Sequence, residues 1–156
     1  MAGKADRRRD SGRPEISTGM IVVLDTNVLI AGLLKPFGPS AAVLRLVLTG
    51  MVQAAHDYRI LAEYKEVLSR PVFGFAPAAV GAFLTQIEED GIPVTPAPVS
   101  FPWPDPTDAP FWEAASAAGA EFLITGNPRH FPKKKVGPRA VSPAEFMAEF
   151  EKAPPR

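Results

Sequence analysis

The 156-residue chain contains no cysteine, and its longest uninterrupted apolar run, Met20 to Leu24, is far shorter than a membrane span of roughly 18 residues. The missing thiols exclude a disulfide framework, a zinc–thiolate site, an iron–sulfur cluster and a thiol nucleophile. They suit a reducing compartment, and the arginine-bearing N-terminus lacks the apolar segment of a signal peptide. We therefore expect a cytoplasmic protein with no membrane segment.

The chain also lacks a net charge, since its 17 basic and 17 acidic residues cancel, but these residues are unevenly distributed. Residues 20–128 carry a net charge of −6, whereas residues 129–139 carry +5 and contain no acid. An acidic body beside a basic stretch suits an enzyme that binds a cation with carboxylates and a polyanion with lysines and arginines. A solvated, lysine-rich loop is the alternative interpretation of the basic stretch.

The length and composition predict one domain with two tails. Hydrophobic residues make up 46% of the chain, which is enough for one globular domain with a full core. Residues 1–19 are poor in large aliphatic side chains and are predicted to form a disordered basic tail. The folded domain is expected over residues 20–150, followed by a flexible C-terminal tail at residues 151–156.

Apolar segments and turn signals alternate along the expected domain. The predicted strands are Met20 to Leu24, Val52 to Ala55, part of Ile92 to Val99, Glu121 to Ile124 and Arg139 to Val141. The predicted helices open at Asp25 to Asn27, then run from Pro39 to Thr49, Asp57 to before Pro71, Pro77 to Gly91, Thr107 or Asp108 to Ala118, and Ser142 to Phe150. This alternation predicts an α/β fold, a three-layer α/β/α sandwich around a central, mainly parallel sheet.

Polar residues stand at the ends of two predicted strands and at the start of one helix. Asp25 follows the first strand, Asn127 follows the strand that ends at Ile124, and Asp108 opens a helix. In a doubly wound sheet, functional groups gather at the carboxyl ends of the strands. Each of these residues taken alone is more typical of a helix cap than of a catalyst. Only their combination is evidence for a catalytic site.

A further acid lies on the helix that follows Asp57. The helix has one apolar stripe, formed by Ile60, Leu61, Tyr64, Val67 and Leu68. Glu63 lies at the edge of this stripe, whereas Glu66 points the opposite way. We therefore prefer Glu63 as the carboxylate that enters a cleft; a glutamate at the rim of the core is the alternative.

Four segments in this order resemble the PIN-domain ribonucleases, and most closely the toxins of bacterial type II toxin–antitoxin modules (VapC-like). They are Ile21 to Ile30, Leu61 to Leu68 before Arg70-Pro71, Asp105 to Phe111, and Phe122 to Phe131. The resemblance covers about residues 20–150 and implies that Asp25, Glu63 and Asp108 bind Mg²⁺ or Mn²⁺. It also implies a site shaped by Thr26, Asn27, Thr125 and Asp105, the last being a rival for the third acid.

The resemblance implies a metal-dependent endoribonuclease. The hypothesised reaction is in-line attack of metal-activated water on an RNA phosphodiester, leaving 5′-phosphate and 3′-hydroxyl ends. The predicted RNA-binding residues are Arg129, Lys133, Lys134 and Lys135. The expected protein partners are a cognate antitoxin and a second copy of the chain, bound through Trp103 or the N-terminal helices.

One position departs from the family pattern. Many members have a fourth acid where this chain has Asn127, which we include among the catalytic candidates. Its amide oxygen can coordinate a hard cation, but the lost charge weakens the binding of a second divalent ion. A catalytically silent RNA-binding or partner-binding domain is therefore the alternative function, and neither His56 nor His130 is assigned to catalysis.

Two other classes of α/β protein lack their signatures in this sequence. A phosphoacceptor receiver domain needs a second acid beside Asp25, and a phosphate-loop NTPase needs a glycine–lysine motif.

Three or four oxygen ligands brought together would repel one another without a divalent cation, and without thiols a zinc site is not expected.

Overall fold

The computed structural model describes residues 19–152, which form five strands and six α-helices. The strands are β1 (Met20–Leu24), β2 (Val52–His56), β3 (Ile92–Pro93), β4 (Phe122–Ile124) and β5 (Arg139–Val141). The helices are α1 (Thr26–Leu34), α2 (Pro39–Leu48), α3 (Tyr58–Leu68), α4 (Pro77–Asp90), α5 (Ala109–Ala118) and α6 (Pro143–Lys152). Short 3₁₀ turns lie at Pro71–Phe73, Pro106–Asp108 and Pro128–His130.

The sheet is parallel throughout, with the strand order β3-β2-β1-β4-β5. The central strand β1 is covered on both faces, and Val22, Val23 and Leu24 have no exposed surface. This explains why β1 is a continuous apolar run, since a strand between two helical layers has no solvent-facing side.

Helices cover the sheet in two layers. Helix α5 lies along β1, β2 and β4, whereas α2 and α6 pack against each other and contact β2 and β4 respectively. Phe111 and Trp112 of α5 and Phe146 of α6 are almost fully buried. The predicted three-layer α/β/α sandwich is confirmed.

Two predicted helix caps are present. The side chain of Asp57 accepts a hydrogen bond of 3.0 Å from the N–H of Ile60 at the start of α3. Ser142 and Glu145 form a reciprocal capping box before α6, with bonds of 2.8 and 3.0 Å. Such caps satisfy backbone N–H groups that have no partner within the helix.

The structure differs from the sequence prediction in the bounds of several elements and in the burial of Leu48; β2 ends at His56 and β4 begins at Phe122, one residue beyond the predicted end and start respectively. Only Ile92–Pro93 pairs as an edge strand, because the prolines that follow cannot donate to a ladder. Leu48, predicted on the apolar face of α2, is 38% exposed. Helix α6 extends to Lys152, beyond its predicted end at Phe150. The predicted N-terminal tail, apart from Gly19, and residues 153–156 lie outside the described residues.

Helices α1 and α2 form a closely packed pair. A Cβ atom added at Gly32 would lie 2.5 Å from Cδ1 of Leu44 and 3.1 Å from the carbonyl of Ser40, so a larger side chain would require Leu44 to shift. Among residues 19–152 no single helix is long and apolar enough to cross a membrane. Helices α1 and α2 have the necessary length and apolarity only when they are counted together, and they are bent by 104° relative to each other.

An extended, proline-rich strap (residues 94–105) connects β3 to the turn before α5. The backbone N–H of Val99 donates to Oε2 of Glu113 on α5 over 3.0 Å. The ring of Trp103 packs edge-on against Phe131, with 5.9 Å between ring centroids. These contacts fix the end of the strap, and therefore the position of Asp108, against the body of the domain.

Candidate active site

Asp25 lies at the carboxyl end of β1, where its backbone N–H donates to the carbonyl of Ile124 over 2.9 Å. The residue is 6% exposed. Burial, with smaller contributions from the charges of Asp108 and Glu63, raises the pKa of Asp25 to about 6, against the lowering effect of a hydrogen bond from Thr125. The structure therefore brings Asp25 within the electrostatic reach of both other predicted acids.

A ring of hydrogen bonds holds the Asp25 carboxylate. Thr125 donates through Oγ1 to Oδ2 of Asp25 over 2.7 Å, and Nδ2 of Asn27 approaches the same oxygen at 3.4 Å. Asn27 in turn accepts from the N–H of Gly126 at 3.0 Å. The ring joins the end of β1 to the loop after β4, and it contains two of the predicted site-shaping residues.

Glu63 faces the same edge of the sheet from α3. The hydroxyl of the buried Tyr64 donates to the carbonyl of Leu24, which ties the helix to β1 immediately before Asp25. Oγ1 of Thr26 donates to Oε2 of Glu63. Thr26, also predicted to shape the site, thus holds one oxygen of this acid.

The rivals of the predicted acids are engaged elsewhere. Glu66 is exposed and forms an ion pair of 2.7 Å with Arg70. Asp105 is also exposed and accepts from the N–H of Thr107 over 3.0 Å, which caps the turn before α5. Its charge contributes to the raised pKa of Asp108, so it lies near the site without replacing that acid.

Asp108 lies directly before α5, and its side chain is 13% exposed. Burial is the main cause that raises the pKa of this carboxyl, and a hydrogen bond with His130 opposes it. The two side chains approach to 3.2 Å, between Nδ1 of His130 and Oδ2 of Asp108. Asp108 is therefore held by the loop after β4, which also holds Asp25.

The two histidines have different surroundings. His56 is buried, and its Nε2 lies 3.2 Å from the carbonyl of Glu88, so this side chain has a hydrogen-bond partner within the core. His130 contacts Asp108, a proximity that sequence reasoning missed. The available signal was the position of His130 directly before Phe131, because a buried aromatic residue anchors the loop to the sheet edge.

Asn127 lies on the same loop with an exposed side chain. Its backbone N–H donates to Oγ1 of Thr125 over 3.0 Å, and its carbonyl accepts from the N–H of His130 at 3.0 Å. Asn127 thus supports two residues that hold site acids, whereas its side-chain amide makes no hydrogen bond within residues 19–152.

A comparison with protein families agrees with this arrangement. A family model for the PIN domain matches residues 21–129. The chain belongs to the PIN-domain family. The matched range contains Asp25, Glu63 and Asp108, and it ends one residue before His130. None of the curated proteins compared with the chain matches it. PIN domains are generally nucleases and usually bind divalent metals.

The residues of this PIN domain offer the oxygen donors that Mg²⁺ and Mn²⁺ prefer. Glu63 and Asp108 each have one carboxylate oxygen, Oε1 and Oδ1, without a hydrogen bond from the described part of the chain. Within residues 19–152, however, no three acidic, histidine or cysteine side chains stand close enough to enclose an ion. The donor chemistry of these acids fits a divalent cation.

A basic pocket of about 780 Å³ lies beside this edge of the PIN domain, between the loop after β4 and strand β5. Its charged lining residues are Arg129, Lys133, Lys134, Lys135, Arg139 and Glu145. Arg139 pairs with Glu149 at 3.6 Å, but the other four cations form no ion pair within residues 19–152. The predicted RNA-binding residues thus surround one concave surface with excess positive charge.

Proposed function

We propose that this PIN domain is a metal-dependent endoribonuclease. The supporting observation is the buried carboxylate of Asp25, whose pKa of about 6 reflects both burial and the nearby charges of Asp108 and Glu63. Such a cluster is stabilised by a divalent cation, which removes the repulsion between the acids. Membership of a generally nucleolytic family supports the same conclusion.

In this proposal, some side chains bind the cation and others orient the binding carboxylates. Asp25, Glu63 and Asp108 would hold the cation, while Thr125 and Thr26 each orient one carboxylate. When bound, Mg²⁺ or Mn²⁺ supplies activation of water for in-line attack on the phosphodiester and neutralisation of charge at phosphorus. The expected products carry 5′-phosphate and 3′-hydroxyl ends.

The basic pocket supports a polyanionic substrate, and RNA fits the cytoplasmic location that we expect from the sequence. Pro128, which lines the pocket, follows Thr125 by three residues, so their Cα atoms are at most about 11 Å apart. A strand whose scissile phosphate lies at the acids could therefore place a neighbouring phosphate among the lysines. Because phosphate contacts carry no base identity, this pocket would add affinity without sequence preference.

Neutralising two pocket lysines tests this role. In Lys134→Gln with Lys135→Gln, the slope of log affinity for single-stranded RNA against log salt is expected to fall in magnitude by about 1.4, since each released contact contributes about 0.7. Fluorescence anisotropy in a salt series measures the slope. The matched control, Lys35→Gln with Lys152→Gln, removes equal charge elsewhere and should keep the wild-type slope. Equal slopes in both double variants would remove the pocket from RNA binding.

The activity itself is tested by incubating purified protein with a panel of single-stranded and structured RNAs, and with DNA, in Mn²⁺ or EDTA. Cleavage of RNA in Mn²⁺ alone, with phosphate mapped to the 5′ ends, is the expected result. RNA binding without cleavage of any substrate would instead favour the catalytically silent binding domain, which the separation of the acids and the amide of Asn127 also favour.

We further propose that an antitoxin protein, or a second copy of the chain, covers the N-terminal helices. Leu33, Leu34 and Phe37 are 37, 50 and 97% exposed, and such apolar groups often mark a partner site. We favour this surface over Trp103, which packs against Phe131. Phe37→Ser is expected to abolish association with the product of an adjacent small reading frame while RNA cleavage is retained. Unchanged association, measured by co-purification, would exclude Phe37 from that interface.

A further inference from the structure

His130 makes a direct side-chain contact with a predicted metal ligand. Its Nδ1 lies 3.2 Å from Oδ2 of Asp108. While Asp108 is ionised, its carboxylate only accepts hydrogen bonds, so Nδ1 of His130 carries the proton of this contact and donates. The side chain of His130 is 41% exposed and that of Asp108 is 13% exposed, so the contact lies at the boundary between the protein interior and solvent.

The imidazole is held in place by its surroundings. His130 ends a 3₁₀ turn, and its backbone N–H donates to the carbonyl of Asn127 over 3.0 Å. The next residue, Phe131, is 2% exposed, and its ring contacts two indole rings, with centroid distances of 5.9 Å to Trp103 and 6.3 Å to Trp112. Trp112 belongs to α5, the helix that begins directly after the acid. Both partners of the contact are therefore anchored on one aromatic cluster.

The contact follows a pattern shared by all three acids. Thr125 donates to Oδ2 of Asp25, and Thr26 donates to Oε2 of Glu63. In each case a donor from a separate part of the chain occupies one carboxylate oxygen. Partners of this kind fix the orientation of a metal ligand, and their loss typically weakens metal binding about 10- to 100-fold.

We infer that His130 is a positioning residue, which holds Oδ2 of Asp108 so that Oδ1 is presented to a divalent cation. The inference rests on the proposed nuclease function and adds a residue that lies beyond the matched PIN-domain range. Oδ1 has no hydrogen-bond partner within residues 19–152, so it is available as a ligand. His130 itself touches neither cation nor substrate in this role.

Three substitutions test the role of Nδ1. His130→Asn keeps an N–H donor near the position of Nδ1, His130→Gln moves the donor toward the position of Nε2, and His130→Ala removes it. In the alanine and glutamine variants the dissociation constant for Mn²⁺, measured by calorimetry without RNA, is expected to rise about 10-fold or more. The asparagine variant should stay within about 3-fold of wild type, because it restores the donor.

Kinetics separate this role from direct contact with RNA. The Mn²⁺ concentration for half-maximal cleavage should rise in the alanine and glutamine variants, while KM for RNA at saturating Mn²⁺ stays at the wild-type value. Wild-type Mn²⁺ affinity in both variants, or a change confined to KM for RNA, would overturn the inference. Melting curves in EDTA verify that each variant folds. If the alanine variant fails to fold, the Mn²⁺ affinity of the glutamine variant alone tests the inference.

The proposed function and the inference fail in different ways. A wild-type protein that neither binds Mn²⁺ nor cleaves RNA would overturn the proposed function, and the role of His130 with it. A wild-type protein that does both, with variants that behave identically to it, would overturn the role of His130 alone.

Discussion

Replacing Asp25 and Asp108 together by asparagine is expected to reduce Mn²⁺-dependent RNA cleavage by at least about 10³-fold. The substitutions remove two of three charged ligands, and the stabilisation that a metal gives to the transition state is several kcal/mol, at about 1.4 kcal/mol for each factor of ten. Initial rates on a fluorescently labelled RNA measure the loss. The fold should survive, because the amide oxygen of asparagine can still accept the hydrogen bond from Thr125.

A control with equal charge loss makes the result specific to the site. Glu66→Gln with Glu88→Gln also removes two carboxylates from exposed positions, one of them paired only with Arg70. Exposed ion pairs of this kind contribute about 0–1 kcal/mol to stability. The control should therefore cleave RNA at the wild-type rate. Undiminished activity in the Asp25 and Asp108 double variant would eliminate the proposed mechanism.

In the absence of divalent metal, the single substitution Asp25→Asn is expected to stabilise the protein above pH 6. Burial and the nearby acids raise the pKa of Asp25 from 3.8 to about 6 in the folded protein, so the folded state binds its proton more tightly than the unfolded state does. The free energy of unfolding therefore falls as pH rises from about 4 to about 6, and stays low above that. The full difference corresponds to about 3 kcal/mol, which an uncharged amide would recover.

Denaturant unfolding in EDTA at pH 4 and pH 7.5 measures this effect. The variant should exceed the wild type by about 2–3 kcal/mol at pH 7.5, and the two proteins should converge at pH 4. Adding Mn²⁺ at about 1,000 times its dissociation constant should reverse the order, since a ligand at that concentration stabilises the binding-competent protein by about 4.1 kcal/mol. A variant that is less stable than wild type in EDTA at pH 7.5 would show that the ionised carboxylate of Asp25 does not destabilise the folded protein.

Local patterns in the sequence predict much of the fold. The apolar run of β1 indicates a strand buried on both faces, and the serine and glutamate of the capping box mark the start of α6. The same reasoning separates Glu63 from Glu66, because helical spacing alone places one at the edge of the apolar stripe and the other in solvent. These features depend on residues that are close in the chain.

Features that depend on residues far apart in the chain are harder to predict from the sequence. His130 and Asp108 are 22 positions apart, and their contact requires both the strap and the loop after β4 to be in place. The basic pocket likewise includes Arg139 from β5, beside lysines predicted only from their charge run. Among residues 19–152 the three acids also do not stand close enough together to enclose an ion, and neither spacing nor periodicity in the sequence determines such distances.

The central claim is that Asp25, Glu63 and Asp108 share one divalent cation. Anomalous diffraction from crystals of the wild-type protein soaked in Mn²⁺ tests it most directly, because the signal locates the ion without reference to activity. The account predicts one strong peak bounded by carboxylate oxygens of all three residues, at about 2.1 Å from each, as in octahedral oxygen coordination of a small divalent cation. A fully soaked crystal with no peak between these side chains, or with a peak only at unrelated surface acids, would contradict it.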